Sequence, residues 1–276
     1  MKKVLFILHK KNYDKKYILY MKILKLIGYK IHILTNINEP IKYCDKQQMS
    51  NLGIFDIKRK INKDYEMIFC NTKIIKILAK IFYKKIKNKI VYINNKNNLK
   101  TIKTINYNNE FNITKEKYIF CSIGEFNNNN NQIMQLEVMI RIIKKYPESK
   151  LLLIGKGKLK EYYEHIIEKY GLSNNAEIIE KAIDSIDIVK KSDCIISTRK
   201  KEEFALDSIM AIILNKPIIA SNVGINKLIL KSKSIFYNSE ELKEKMITYI
   251  EENKKIERYY YIDSKEKNEI LKSESI

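Results

Sequence analysis

The chain has 276 residues, of which 45% are hydrophobic, and carries a formal net charge of +21. That length holds one large or two modest domains with a real core. Four widely spaced cysteines with no C-x-x-C pair argue against a disulfide framework or a zinc site, and no apolar run approaches the length of a bilayer span.

Taken in order, strands and helices alternate. Val4–Leu8 is an apolar strand, and residues 17–27 form a helix that stops at Gly28. Lys30–Thr35 is a second strand, broken by Asn36–Pro40. Residues 44–61 read as a short strand or turn followed by a helix. A strand at Glu66–Cys70, an isoleucine- and lysine-rich helix at 72–85 and a strand at 90–93 follow. Residues 94–112 are rich in Asn, Lys and Thr, lack periodicity and read as a linker. A second alternating set then runs through strands at 118–123, 150–154, 176–179 and 193–197, with helices at 132–145, 159–170 and 186–191 between them. Residues 239–253 form an amphipathic helix and 256–271 a further one. Such alternation predicts an α/β protein of two Rossmann-like domains, each a parallel sheet with helices on both faces. The first domain is expected over residues 1–110 and the second over 111–255, with 256–276 packing back toward the first.

Only four of the 53 basic residues are arginine (Arg59, Arg141, Arg199, Arg258), and the lysines are spread from end to end without a basic-aromatic signature. A solvated lysine-rich surface is favoured over a nucleic-acid interface, and peripheral contact with an anionic membrane fits the charge. The start, MKKVLFILHKKNYDKK, has too short an apolar core for a signal peptide. A cytoplasmic protein is expected, at the inner membrane face if it touches a membrane. His9 at a strand end reads as polar before catalytic, and neither His32 in a strand nor His165 on a helix suggests a ligand. The Asn127–Asn131 run reads as a flexible loop.

The most informative stretch is CIISTRKKEEFALDSIMAIILNKPIIASNVGINKL, from Cys194 to Leu228. It reads strand, loop, helix, strand, loop, with Phe204, Leu206, Ile209, Met210, Ile213 and Leu214 near i, i+3, i+4 spacing. A loop leaving the carboxyl end of a parallel strand and entering a helix is where ligands bind, and the free N–H groups there favour an anion.

This stretch resembles the donor-site motif of retaining glycosyltransferases of family 4, roughly Ser-x-x-Glu-Gly-Phe-Gly-Leu-x-x-x-Glu-Ala followed by Lys-Pro-x-Ile-Ala. Counting back from Lys216–Pro217, Glu202 takes the first acidic position, Phe204, Ala205 and Leu206 follow in register, and Ala211 takes the alanine. The second glutamate is replaced by Met210, whose thioether cannot accept two hydrogen bonds from a ribose. IGEFNNNNNQ (residues 123–132) and LLLIGKGKLKEYYEHI (residues 151–166) are similar to further elements of the same donor domain. The closest wording is that of enzymes of capsule and exopolysaccharide synthesis.

The resemblance implies a GT-B fold, two facing Rossmann-like domains, and transfer of a sugar from a nucleotide-diphosphate sugar to a growing surface glycan or lipid-linked acceptor, without cofactor or metal. It implies that Glu202 contacts the transferred sugar, that the backbone at Phe204, Ala205 and Leu206 holds the diphosphate with Lys156 as nearby positive charge, and that Gly124 also belongs to the donor site. The pattern also departs from the family. The loop HKKNYDKK after the first strand lacks glycine, Asn95 stands near an expected histidine, Asn130 replaces a lysine, and Glu125 replaces a phosphate-binding arginine. A catalytically degenerate relative that partners an active transferase is the alternative.

Overall fold

A computed structural model of the chain describes residues 2–14, 16–26, 28–60, 64–93, 118–180, 185–201 and 206–252. The chain divides into two compact units. The boundary expected at residue 110, the linker and the closing segment 256–276 lie outside the described residues.

The first unit contains β1 (Lys3–Leu8), α1 (Lys16–Leu26), β2 (Lys30–Thr35), β3 (Lys46–Met49), α2 (Ile54–Lys60), β4 (Met67–Cys70), α3 (Lys73–Phe82) and β5 (Ile90–Tyr92). Its strands are all parallel, in the order β3-β2-β1-β4-β5. Val4 to Leu8 are all buried, as a central parallel strand covered on both faces requires. On one face Phe6 and Phe69 stack at 4.8 Å, with Tyr20 6.2 Å from Phe69. On the other, Leu5, Ile7, Leu34 and Ile68 meet Ile57 of α2 and Ile75 and Ala79 of α3.

Local chemistry explains where these helices begin and end. Gly28 takes φ +89, in the left-handed region that only glycine enters without strain. From there Gly28 N donates to Lys25 O and Tyr29 N to Leu24 O, closing the end of α1 in a Schellman pattern. Thr72 caps α3 by accepting from Ile75 N at 3.1 Å. β3, KQQM, has no buried residue. A polar edge strand of this kind has no apolar alternation to read, which is why residues 44–61 left a strand or a turn open.

The second unit contains β6 (Ile119–Ile123), α4 (Gln132–Ile142), β7 (Lys150–Ile154), α5 (Lys160–Lys169), β8 (Ala176–Ile179), α6 (Ser185–Lys191), β9 (Cys194–Ser197), α7 (Leu206–Ile213), β10 (Ile218–Ser221), α8 (Asn226–Ile229), β11 (Ile235–Phe236) and α9 (Ser239–Glu251). Its parallel strands run β11-β10-β9-β6-β7-β8. Phe120, Leu136, Val138, Met139, Leu151, Leu153 and Ile196 fill the core with Met246 and Tyr249 of α9. Asn238 caps α9 through Glu241 N, and Arg141 of α4 pairs with Glu240 at 2.7 Å. The sequence reading contained neither α8 nor β11; four and two residues are too few to show a period.

Counted within each unit, both sheets follow the Rossmann order, with the first strand of the unit beside its fourth. The chain is therefore α/β with two Rossmann-like sheets. In each sheet strand order reverses at one point, between β1 and β4 in the first and between β6 and β9 in the second. The crevice at the carboxyl ends of those strands is where this topology binds ligands.

Candidate functional site

In the second unit the ladder between β6 and β9 is short, pairing Phe120 with Cys194 and Cys121 with Ile195. Beyond it β6 continues its ladder with β7 up to Ile123, while β9 continues with β10 up to Ser197. The fork is spanned by the buried Gln135 of α4. Its amide Nε2 donates to Ser122 Oγ at 2.9 Å and to Thr198 Oγ1 at 2.8 Å. Thr198 Oγ1 in turn donates to the Asn130 carbonyl at 2.8 Å, and Lys200 N donates to the Asn129 carbonyl at 2.9 Å. The loops leaving β6 and β9 are thus stitched together at the reversal point.

The same place concentrates unsatisfied polarity. Among the described residues seven buried side-chain N or O atoms lack a hydrogen-bond partner, and five of them lie here: both amide atoms of Asn129, Asn130 Oδ1, Gln135 Oε1 and Ser197 Oγ. Each such atom costs about 1–3 kcal/mol. They cluster at the strand-order reversal, the place where this topology binds ligands.

Behind this fork lies a closed polar ring. Arg199 follows β9, and its Nη2 stands 3.0 Å from Asp207 Oδ1, the two side chains being 7% and 2% exposed. Asp207 Oδ1 also accepts from Ser208 N at 2.8 Å at the start of α7. Ser208 Oγ donates to Asn226 Oδ1, Asn226 Nδ2 to the Ser221 carbonyl, and Ser221 Oγ to the Arg199 carbonyl. β9, α7, β10 and α8 are locked together, and α7 begins where this ring holds it. Sequence reasoning missed Arg199 and Asp207. The available signal was the scarcity of arginine in a chain that otherwise uses lysine, since a planar fork suits a buried ion pair better than an ammonium.

The sequence-predicted site residues fare differently. Glu202, Phe204 and Ala205 lie outside the described residues, and Leu206 opens α7. Gly124 leaves β6, and a Cβ there would come within 2.9 Å of Asn130 Nδ2. Lys156 is exposed at the carboxyl end of β7, as are Lys200 and Lys201 beyond β9. Gly155 and Gly157 pack backbone on backbone: an added Cβ would stand 2.0 Å from the Gly124 carbonyl oxygen and 2.4 Å from that of Phe126. Their glycine identity is therefore set by contact between two loops. Met210 is buried, 3% exposed, on the inner side of α7.

One expectation needs correction. The asparagine run is a packed turn: Asn127 Oδ1 accepts from Asn129 N and Asn130 N, and Asn130 and Asn131 are buried. Asn side chains hydrogen-bond their own backbone two and three residues on, so a run of them can build a turn. Asn130, in place of a lysine, turns inward and donates to the Glu125 carbonyl at 2.7 Å. Cys121 and Cys194 sit under the fork as core residues. Burial raises both thiols, Cys121 to about 12, so neither offers a thiolate.

In the first unit the corresponding point is closed by reciprocal bonds, His9 N to Asn71 Oδ1 and Asn71 Nδ2 to the His9 carbonyl. His9 Nδ1 accepts from Lys11 N, so its ring caps a turn, in line with a polar role. A cavity of about 260 Å³ in this unit is lined by Lys3, His32, Lys46 and Tyr65. It lies away from the carboxyl ends of the strands, so topology favours the β6/β9 crevice as the site.

Fold and site together define an α/β protein of the GT-B class. Residues 103–266, more than half of the chain, match the family described as "Glycosyl transferases group 1", and the chain belongs to that family. It is 26% identical over 211 residues to the uncharacterized glycosyltransferase MJ1059 of Methanocaldococcus jannaschii. That match covers 74% of this chain and 51% of the relative, so the chain spans about half the relative's length. Among solved structures, the lipopolysaccharide outer core galactosyltransferase WaaB in its apo form aligns over 99% of this chain and 100% of its own, with a TM-score of 0.51 at 12% identity. The sucrose-phosphate synthase of Thermosynechococcus elongatus aligns over 99% and 94%, also with a TM-score of 0.51 at 12% identity. Both likenesses concern the fold.

Proposed function

We propose that the chain transfers a sugar from a nucleotide-diphosphate sugar to a growing surface glycan, of the capsular or exopolysaccharide kind. The observation that carries this reading is the β6/β9 fork with its five unpartnered polar atoms, inside the family-matched region. The donor lies across the fork. Its polar groups lie against the loops that carry Asn129, Asn130 and Thr198, and its diphosphate lies at the start of α7, along residues 204–206.

The chemistry follows from charge. As the glycosidic bond to the diphosphate breaks, negative charge grows on the leaving oxygen. Lys156 and the positive end of the α7 dipole stabilise that charge, without needing a metal. Glu202 contacts the transferred sugar, and Gly124 lets the β6 loop approach it. Retention places the acceptor hydroxyl on the face of the sugar that the diphosphate leaves. The acceptor is a glycan or lipid-linked chain, and the protein works in the cytoplasm at the inner face of an anionic membrane.

A second reading, a degenerate relative that partners an active transferase, is favoured by Met210. Its thioether occupies a buried position where the family places a carboxylate, and Glu125 and Asn130 remove two further cations. A panel of nucleotide-sugars followed by thermal shift and by release of free nucleotide separates the two. Stabilisation with turnover supports transfer, and stabilisation without turnover supports the partner role. No stabilisation by any donor overturns the transfer reading and leaves the accessory role standing.

A further inference from the structure

We infer that the outward face of α3 docks onto an anionic lipid bilayer. α3 reads KIIKILAKIF, and its inward face is already accounted for: Ile75 and Ala79 are 4% and 0% exposed, with Leu78 and Phe82 packed against the same core. The helix carries a second apolar stripe. Ile74, Ile77 and Ile81 are 71%, 57% and 54% exposed. Their i, i+3, i+7 spacing aligns them along one line of the helix surface. On α2, which packs beside α3, Phe55 is 77% exposed. Single exposed apolar residues need no explanation, but three β-branched ones in register on one helix mark a surface that meets something.

Charge identifies the partner. From Lys73 to Lys89 the chain holds seven lysines and no acidic residue. Lys73, Lys80, Lys84 and Lys87 are exposed. At 100° per residue Ile77 lies about 40° from Lys73 and about 60° from Lys80 around the helix, so the cations border the stripe. A second copy of this face would bring lysines against lysines in a chain of net charge +21. A nucleic acid would engage the lysines and leave the isoleucines in water. An anionic bilayer satisfies both: its headgroups neutralise the lysines and its acyl boundary takes up the isoleucines, while lysine stems lie along the interface.

This deepens the membrane-surface part of the function proposed above. It rests on that reading only for its use, since a lipid-linked acceptor would lie in the same bilayer.

The test is co-sedimentation of the full chain with phosphatidylcholine vesicles, with and without phosphatidylglycerol, alongside the triple variants Ile74→Ser/Ile77→Ser/Ile81→Ser and Lys73→Gln/Lys80→Gln/Lys84→Gln. All six positions are on the surface, so unchanged thermal midpoints establish folding. A Tyr162→Ser/Tyr170→Ser variant, altering exposed rings on and just after α5, serves as the control. Binding should require phosphatidylglycerol and fall with salt. It should weaken ~fivefold per lysine removed, drop at least ~tenfold in the isoleucine variant and persist in the control. Absence of wild-type binding, or equal binding by the isoleucine variant, overturns the inference. So does a wild-type dimer that the isoleucine variant converts to monomer, since the stripe would then belong to a second copy. Nucleotide-sugar binding, measured on the wild-type chain without vesicles, keeps the two proposals apart. Its failure with vesicle binding intact sinks the transferase reading alone.

Discussion

Gln135 and Thr198 come from elements 63 positions apart in the chain, yet the Gln135 amide donates to Thr198 Oγ1 at 2.8 Å, and both side chains are buried. This contact spans the ends of two parallel strands where their ladder has stopped. Gln135→Met keeps the volume and removes the donor, leaving Ser122 Oγ and Thr198 Oγ1 without it. Stability should fall by about 1–3 kcal/mol, measured by denaturant unfolding. Nucleotide-sugar affinity should fall with it, because the walls of the crevice lose their tie. An unchanged affinity in Gln135→Met would place the ligand elsewhere.

The Arg199–Asp207 pair is buried at 3.0 Å, with side chains 7% and 2% exposed. Removing one partner strands a charge in the core, so Arg199→Met or Asp207→Asn should each cost about 3–5 kcal/mol. The double replacement Arg199→Met/Asp207→Asn should recover much of that loss, because no unpaired charge remains and the asparagine amide oxygen can still accept from Ser208 N. A double-mutant cycle in urea measures the coupling. Additive losses would show that the pair holds nothing together.

Gly155→Ala drives a Cβ to within 2.0 Å of the Gly124 carbonyl oxygen. That is backbone, which cannot swing away. Overpacking of this kind costs about 1–3 kcal/mol or more, and it should appear in the ligand-free protein. If Gly155→Ala were stable and only donor binding suffered, the glycine would be a ligand cradle after all.

Met210 sits at 3% exposure on α7, where the family resemblance places a ribose-binding carboxylate. Met210→Glu should therefore lower the ligand-free thermal midpoint, because a buried carboxylate without a partner is costly. It should also enlarge the shift produced by a nucleotide-sugar, as one bidentate contact is worth about 1.5–3 kcal/mol. Glu202→Ala should shrink that shift. A Met210→Glu protein that is destabilised and unresponsive to every donor would identify residue 210 as core only.

His32 supplies a pH dependence. Burial lowers its pKa from the ordinary 6.5, helped by Lys3 and Lys46, and its Nδ1 lies 2.9 Å from Tyr65 OH. The folded state binds this proton less readily than the unfolded chain does. The contribution is therefore fully present above pH 6.5 and is lost as pH falls from there through the lower folded value. Unfolding midpoints between neutral and mildly acidic pH should decline less steeply in His32→Gln than in the parent chain. Identical slopes would remove His32 as the source.

Much of this protein is set by its residues alone. Continuous apolar runs such as Val4–Leu8 and Leu151–Ile154 are central strands because only a sheet covered on both faces buries every side chain in turn. Gly28 and Thr72 mark helix ends through chemistry that is local by nature. The position of α7 and the place of Met210 upon it were equally legible, from spacing and resemblance. Tertiary structure decided what depends on neighbours distant in sequence. Strand order placed β6 beside β9, and only that adjacency makes Gln135 a bridge and gathers the unpartnered atoms of Asn129, Asn130 and Ser197 in one crevice. The Arg199–Asp207 ring and the backbone contact beneath Gly155 arise the same way. No local period or propensity encodes a hydrogen bond or a close approach between elements that meet only once the sheet has assembled.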